Sequence, residues 1–156
     1  MQTVDTLETM LEHHPFLAGL SHDFRTIFCY CGSLRRFASQ QKIFHEGGAA
    51  DHFYLIVTGK VALETFVPGG AMVTIQNLGP GDALGWSWLF PPNEWHFSAT
   101  TRQPTEVISL NAAALIAAAE ADREFHDELV TRVANTLHQR LVGTRERLVE
   151  LYGSRR

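Results

Sequence analysis

Trp86, Trp88 and Trp95 are the only tryptophans of the chain, and Phe97 follows the last of them by two residues. All four fall in the stretch Gly79–Ser98, which opens on Gly-Pro-Gly-Asp and is interrupted by Pro91-Pro92. Rings gathered this way stack a flat or apolar molecule, or enclose a cation, because aromatic faces carry partial negative charge. Ser87 and Ser98 lie among them and offer hydroxyls that donate and accept. The competing expectation is that the rings collapse on one another as core and leave no cavity.

Other reactive chemistry is sparse. Cys29 and Cys31 stand one residue apart, a spacing that seldom closes a disulfide, and they read as inert thiols. Eight histidines are scattered without a metal-protease or zinc-finger spacing. No Gly-x-Ser-x-Gly elbow, phosphate loop or dinucleotide fingerprint occurs, and no nucleophile can be paired with a nearby base, so the expectation is a non-enzyme with no metal site.

The elements that must position the aromatic stretch follow from period and punctuation. At 156 residues the chain suits one domain. Val4 to Glu12 carries Val4, Leu7, Met10 and Leu11 at helical spacing, and Ser21 caps a second helix that Gly32 stops. From Ser33 the pattern becomes short β-rich runs: Leu34–Ala38, Gln41–Phe44, Phe53–Val57, Val61–Val67, Met72–Leu78, Phe97–Thr101 and Glu106–Leu110. Their number and spacing predict a sandwich or jelly-roll barrel. Ala112–Ala121 is helical with Ser109 or Asn111 as its cap, and Asp122 caps a longer helix reaching about Leu151. The expected organisation is N-terminal helices over 1–32, a β-roll over 33–110 and C-terminal helices over 111–152.

In the last helix Val130, Ala134, Leu137, Leu141, Thr144, Leu148 and Leu151 step alternately by four and three, the seam of a helix that packs on a similar one. Phe125, Leu129 and Val133 form a second stripe that suits packing on the roll. Because the seam runs past what a small roll covers, it predicts a parallel homodimer. A formal charge of −4, from 13 Lys and Arg against 17 Asp and Glu, argues against broad nucleic-acid binding. Arg145, Arg147, Arg155 and Arg156 read as a solvated basic end. The absence of a long apolar run or signal-like start predicts a cytoplasmic protein without membrane attachment.

Three segments in order, Gln41-Lys-Ile-Phe-His-Glu-Gly47, Phe53-Tyr-Leu-Ile-Val-Thr-Gly-Lys-Val61 and Gly79-Pro-Gly-Asp-Ala-Leu-Gly85, resemble the cyclic-nucleotide-binding domain of the catabolite activator (Crp/Fnr) superfamily. The resemblance covers nearly the whole chain. It implies a mainly β fold, an antiparallel double-stranded β-helix (jelly-roll) barrel with flanking helices and a long dimerising C-terminal helix. It also implies that the loop from Gly85 is the phosphate-binding cassette, and that Thr144 matches a helix position from which a Thr reaches the nucleotide base.

Two anchors of the family pattern are replaced. A typical nucleotide-binding member has Glu directly after the glycine, where Trp86 stands, and an indole N–H cannot accept a ribose hydroxyl. It has Arg before Ser-Ala, where Phe97 precedes Ser98-Ala99. Losing a hydrogen bond to a charged group costs about 1.5–3 kcal/mol, and a buried phosphate would also lack its counter-charge. The expectation is therefore a small-molecule sensor or regulatory module that does not take cyclic AMP in the usual way, with an unidentified ligand held by Gly85, Trp86, Ser87, Trp88, Trp95, Phe97, Ser98 and Thr144. Family members that regulate transcription continue into a winged helix-turn-helix, which is not seen before Arg156, so no direct DNA contact is expected and a protein partner is left open. Alternatives are a transcription regulator acting through a partner, and a heme or redox sensor using His96, Cys29 or Cys31.

Overall fold

Every α-helix after the first begins at a side chain that accepts from its otherwise orphaned first amides. The computed structural model describes residues 2–153, with side chains from Thr6 onward. The side chain of Val4 lies outside that range, and so do Arg155 and Arg156 of the expected basic end. Helix α1 spans Gln2–His13, a 3-10 turn follows at Pro15–Leu17, and α2 spans His22–Cys31. The Ser21 hydroxyl accepts from the Phe24 amide at 3.2 Å. At the other end Asn111 caps α3, Ala112–Ala121, by accepting from the Ala114 amide at 2.9 Å. The Asp122 carboxylate accepts from Glu124 and Phe125 and opens α4, Arg123–Gly153.

Between them run β1 (Gly32–Phe37), β2 (Lys42–Phe44), β3 (His52–Thr58), β4 (Val61–Phe66), β5 (Met72–Leu78), β6 (Ala83–Leu84), β7 (Ser98–Thr101) and β8 (Thr105–Asn111). Strand β6, two residues long, has too little sequence for a period and escaped the sequence reading. The strands form two four-stranded antiparallel sheets, ordered β1-β8-β3-β6 and β2-β7-β4-β5. Mainly β structure with flanking helices and a long last helix is what the sequence predicted. The closed barrel is not part of it, since no described strand pairing joins one sheet to the other.

Strand β3 buries Phe53, Tyr54, Leu55 and Ile56 in succession, where a half-exposed strand would alternate. Both of its faces are covered. Phe53 meets Phe16 and Trp88, while Tyr54, on the opposite side, meets Phe44 and Trp95. Outside the sheet, Phe28 lies between Phe16 and Phe125, tying the N-terminal helices to α4. Full burial of each such ring stabilises by about 1.5–3 kcal/mol.

Helix α4 carries two stripes. Phe125, Leu129, Val133, Thr136 and Arg140 are buried. Of the expected dimer seam, Leu137 is half-buried against the core, Val130, Ala134 and Thr144 are exposed, and Leu141 and Leu148 are 68% and 53% exposed, with Leu151 similar. No helix among the described residues is long and apolar enough to cross a membrane.

Candidate functional site

The aromatic stretch is launched by a tight turn. The Gly79 amide donates to the Asp82 carboxylate at 2.8 Å, and the turn docks on β3 through Ile56, whose amide donates to Asp82 O and whose carbonyl accepts from the Gly81 amide. Strand β6 then pairs with β3, placing Leu84 opposite Tyr54, and the chain turns at Gly85 with φ +86°. A short 3-10 turn, Ser87–Leu89, follows, and the chain returns through Asn93, which bonds the Trp88 carbonyl at 2.7 Å.

Backbone bonds fix that return against the segment before β3. The Gly47 amide donates to Trp95 O at 2.8 Å, the Trp95 amide to Gly48 O at 2.9 Å and the Ala50 amide to Asn93 O at 2.7 Å. Trp95 is consequently driven inward, 4% exposed, its ring stacked on Phe44 with centroids 3.9 Å apart and planes 14° off parallel. Trp86 meets Phe97 edge-on at 6.4 Å.

The cleft bounded by Phe44, Leu63, Leu84 and Gly85 on one side and Trp86, Ser87, Trp95 and Phe97 on the other has a volume of about 10 Å³. That is about one water, against the several hundred Å³ of an ordinary ligand pocket. Of the sequence-predicted site residues, Gly85, Trp86, Ser87, Trp95 and Phe97 come together here. Trp88 does not: its ring is buried against Phe53, and its indole N–H has no partner among the described residues. The Ser98 hydroxyl accepts from the Glu46 amide at 3.0 Å. The Thr144 hydroxyl donates to Arg140 O one turn back on its own helix.

Among the described residues no charged side chain lines the cleft. Arg102, downstream of Phe97, donates to the Glu64 carboxylate at 2.7 Å and to Gln40 at 3.2 Å. Burial pushes the Glu64 carboxyl up, but the neighbouring hydrogen bonds and the Arg102 charge outweigh it and hold it below the usual range. Arg140 of α4 is buried and donates to Ala83 O, two residues before Gly85. Burial pulls its guanidinium down, and the Asp82 charge opposes that shift. Cys29 and Cys31 are free, both thiols pushed up by burial.

Phe44, Leu63, Leu84 and Arg140 were missed by sequence reasoning. The first three were legible only as inward strand positions. Arg140 had a signal, since it extends the spacing of Phe125, Leu129 and Val133 by one more turn beyond Thr136.

Two antiparallel sheets bearing a glycine-led aromatic loop, with a long helix bonded to that loop's lead-in strand, define a domain of the cyclic nucleotide-binding type. The family model for the cyclic nucleotide-binding domain matches residues 34–122, and the chain belongs to that family. A CRP-like cAMP-activated global transcriptional regulator of Mycobacterium tuberculosis is 33% identical over 109 residues, covering 70% of this chain and 47% of that protein. This chain thus spans about half the length of that relative. Among solved structures, the Thermus thermophilus catabolite activator protein matches at a TM-score of 0.69 and 27% identity, over 88% of this chain and 61% of that one. A cyclic nucleotide-binding domain from Methylobacillus flagellatus shares the fold at a TM-score of 0.79 and 17% identity, over 96% of this chain and 84% of that one.

Proposed function

We propose that the protein is a non-enzymatic regulatory module of the CRP-like type that does not hold cyclic AMP in the usual way and that pairs through α4 with a second copy. In this reading the two sheets are the halves of a jelly roll, and the Gly85 loop reports to the helix through Ala83 and Arg140. The observation that carries it is the contact of Trp86 with Phe97, which puts two apolar rings where the family resemblance expects a carboxylate and a guanidinium. A nucleotide phosphate brought there would shed its water and meet no cation. A small flat or cationic ligand enters only if a ring leaves. Calorimetry of the whole chain with cyclic AMP and cyclic GMP is expected to show no binding at micromolar concentrations, and micromolar affinity for either overturns the proposal.

The names of the relatives favour a second reading, a transcription regulator acting with a partner or with further chain. Retarded migration of random-sequence DNA by this chain at physiological salt would support direct DNA contact instead.

A further inference from the structure

We infer that the indole of Trp95 is the built-in occupant of the ligand site, so that the cleft is filled with no small molecule. The inference rests on the reading above that the site does not hold a cyclic nucleotide in the usual way.

The ring has a seat made for it. Phe44 covers one face at 3.9 Å. At the far edge of the six-membered ring stands Gly85, where an added Cβ would lie 2.8 Å from two of the indole carbons, a separation real side chains do not tolerate. Beside Cδ1 stands Gly48, where a Cβ would make ordinary contact at 3.7 Å. The positive φ of Gly85 also requires glycine, so one residue both turns the chain and makes room for the ring.

The ring is also delivered by a rigid element. Residues 93–95 are held to 47–50 by three backbone hydrogen bonds, and Ala49 and Glu94 form a β-bridge. An indole that had simply fallen into a hole would need no such frame. With it in place the cleft is reduced to about 10 Å³. Withdrawing it opens space on the order of 150 Å³ between apolar walls, the kind of cavity that stays dry and takes a neutral aromatic molecule. The class of molecule this space fits is therefore a neutral planar aromatic of indole size.

The test removes the ring and returns it. Trp95→Gly in the whole chain is expected to melt roughly 10 °C lower, and free indole is expected to raise its melting temperature saturably while leaving the native chain unchanged. If the variant is unfolded alone, indole is expected to restore its native circular dichroism. A folded Trp95→Gly that indole fails to stabilise overturns the inference. A second measurement needs no destabilised variant: with 5-fluorotryptophan incorporated and the Trp95 resonance assigned from Trp95→Phe, its position in the native chain is expected to be unmoved by indole or adenine. A saturable shift makes Trp95 a gate and overturns its role as occupant. Neither result touches the parent reading, which falls only if a cyclic nucleotide binds the native chain.

Discussion

Arg140 of α4 donates to the carbonyl oxygen of Ala83 on β6 at 2.6 Å, while its own Nε has no partner among the described residues. Arg140 is 7% exposed, so the bond helps to hold a buried cation on which the Asp82 charge also acts. It joins the long helix to the strand that delivers Gly85. A shift of either element must strain or break it, which gives the helix a direct mechanical link to the aromatic loop.

Removing that link has a measurable cost. Hydrogen bonds to charged groups contribute about 1.5–3 kcal/mol, so Arg140→Ala is expected to lower stability by about 2 kcal/mol and the melting temperature by about 4–8 °C. Arg140→Met keeps most of the volume and relieves the buried charge, while still leaving Ala83 O unpaired. It is expected to cost less than alanine. Thermal denaturation of the pair checks the order, and equal losses would show that the bond to Ala83, and not packing, holds α4 here.

The exposed stripe of α4 gives a test of pairing. A carboxylate at an a/d-type position of a helix pair is buried without a partner, whereas on a solvated helix it costs little. Leu141→Asp and Leu148→Asp are each expected to convert a dimer to monomer in light scattering after size exclusion, with helix content of the monomer retained. A wild-type chain that elutes as a monomer at tens of micromolar refutes the proposed pairing.

Acid stability should show the Glu64 carboxylate. Its value is depressed in the folded state, so the unfolded chain takes up its proton first as pH falls. The stabilisation is therefore complete above the unfolded carboxylate value, near 4.3, and is lost as pH drops through the lower folded value. Glu64→Gln is expected to be less stable at neutral pH and to lose less stability than wild type over that acid window. Urea denaturation at several pH values measures both.

How much of this was legible in the sequence differs by element. Helix caps were readable because Ser21, Asn111 and Asp122 act within three residues of themselves. Strands β3, β4 and β5 were readable from β-branched runs between glycine turns. Strand β6 was not, because its pairing with β3 is a tertiary fact. The aromatic stretch was readable as a candidate site but not in its internal arrangement: Trp86, Trp88 and Trp95 are the same residue type, and only the backbone frame around 47–50 and 93–95 sends Trp95 into the cleft while Trp88 turns towards Phe53. Collapse of the rings and lining of a pocket were both compatible with spacing, whereas the hydrogen-bonded return loop, which leaves a cleft of about 10 Å³, cannot be read from it.

His14 supplies the last prediction. It is buried where the 3-10 turn meets β3, its Nε2 lying 3.0 Å from Ile56 O, and its Nδ1 accepting from the Phe16 amide at 3.2 Å. Those partners require a neutral ring with the proton on Nε2, since a protonated Nδ1 cannot accept. Burial pulls the value below that of a free histidine, and the bond to Ile56 and the Asp82 charge offset only part of that. As pH falls below about 6.5 the unfolded chain therefore protonates before the folded one, and stability declines until the folded value is passed. Ile56 O also accepts from the Gly81 amide at 3.0 Å, so loosening at His14 reaches the turn that leads to Gly85. Hydrogen exchange at pH 7 and pH 5 is expected to show faster exchange of the Phe16 and Gly81 amides at the lower pH, after correction for intrinsic rates. His14→Asn should abolish that difference, and persistence of the pH effect in the variant would assign it to another group.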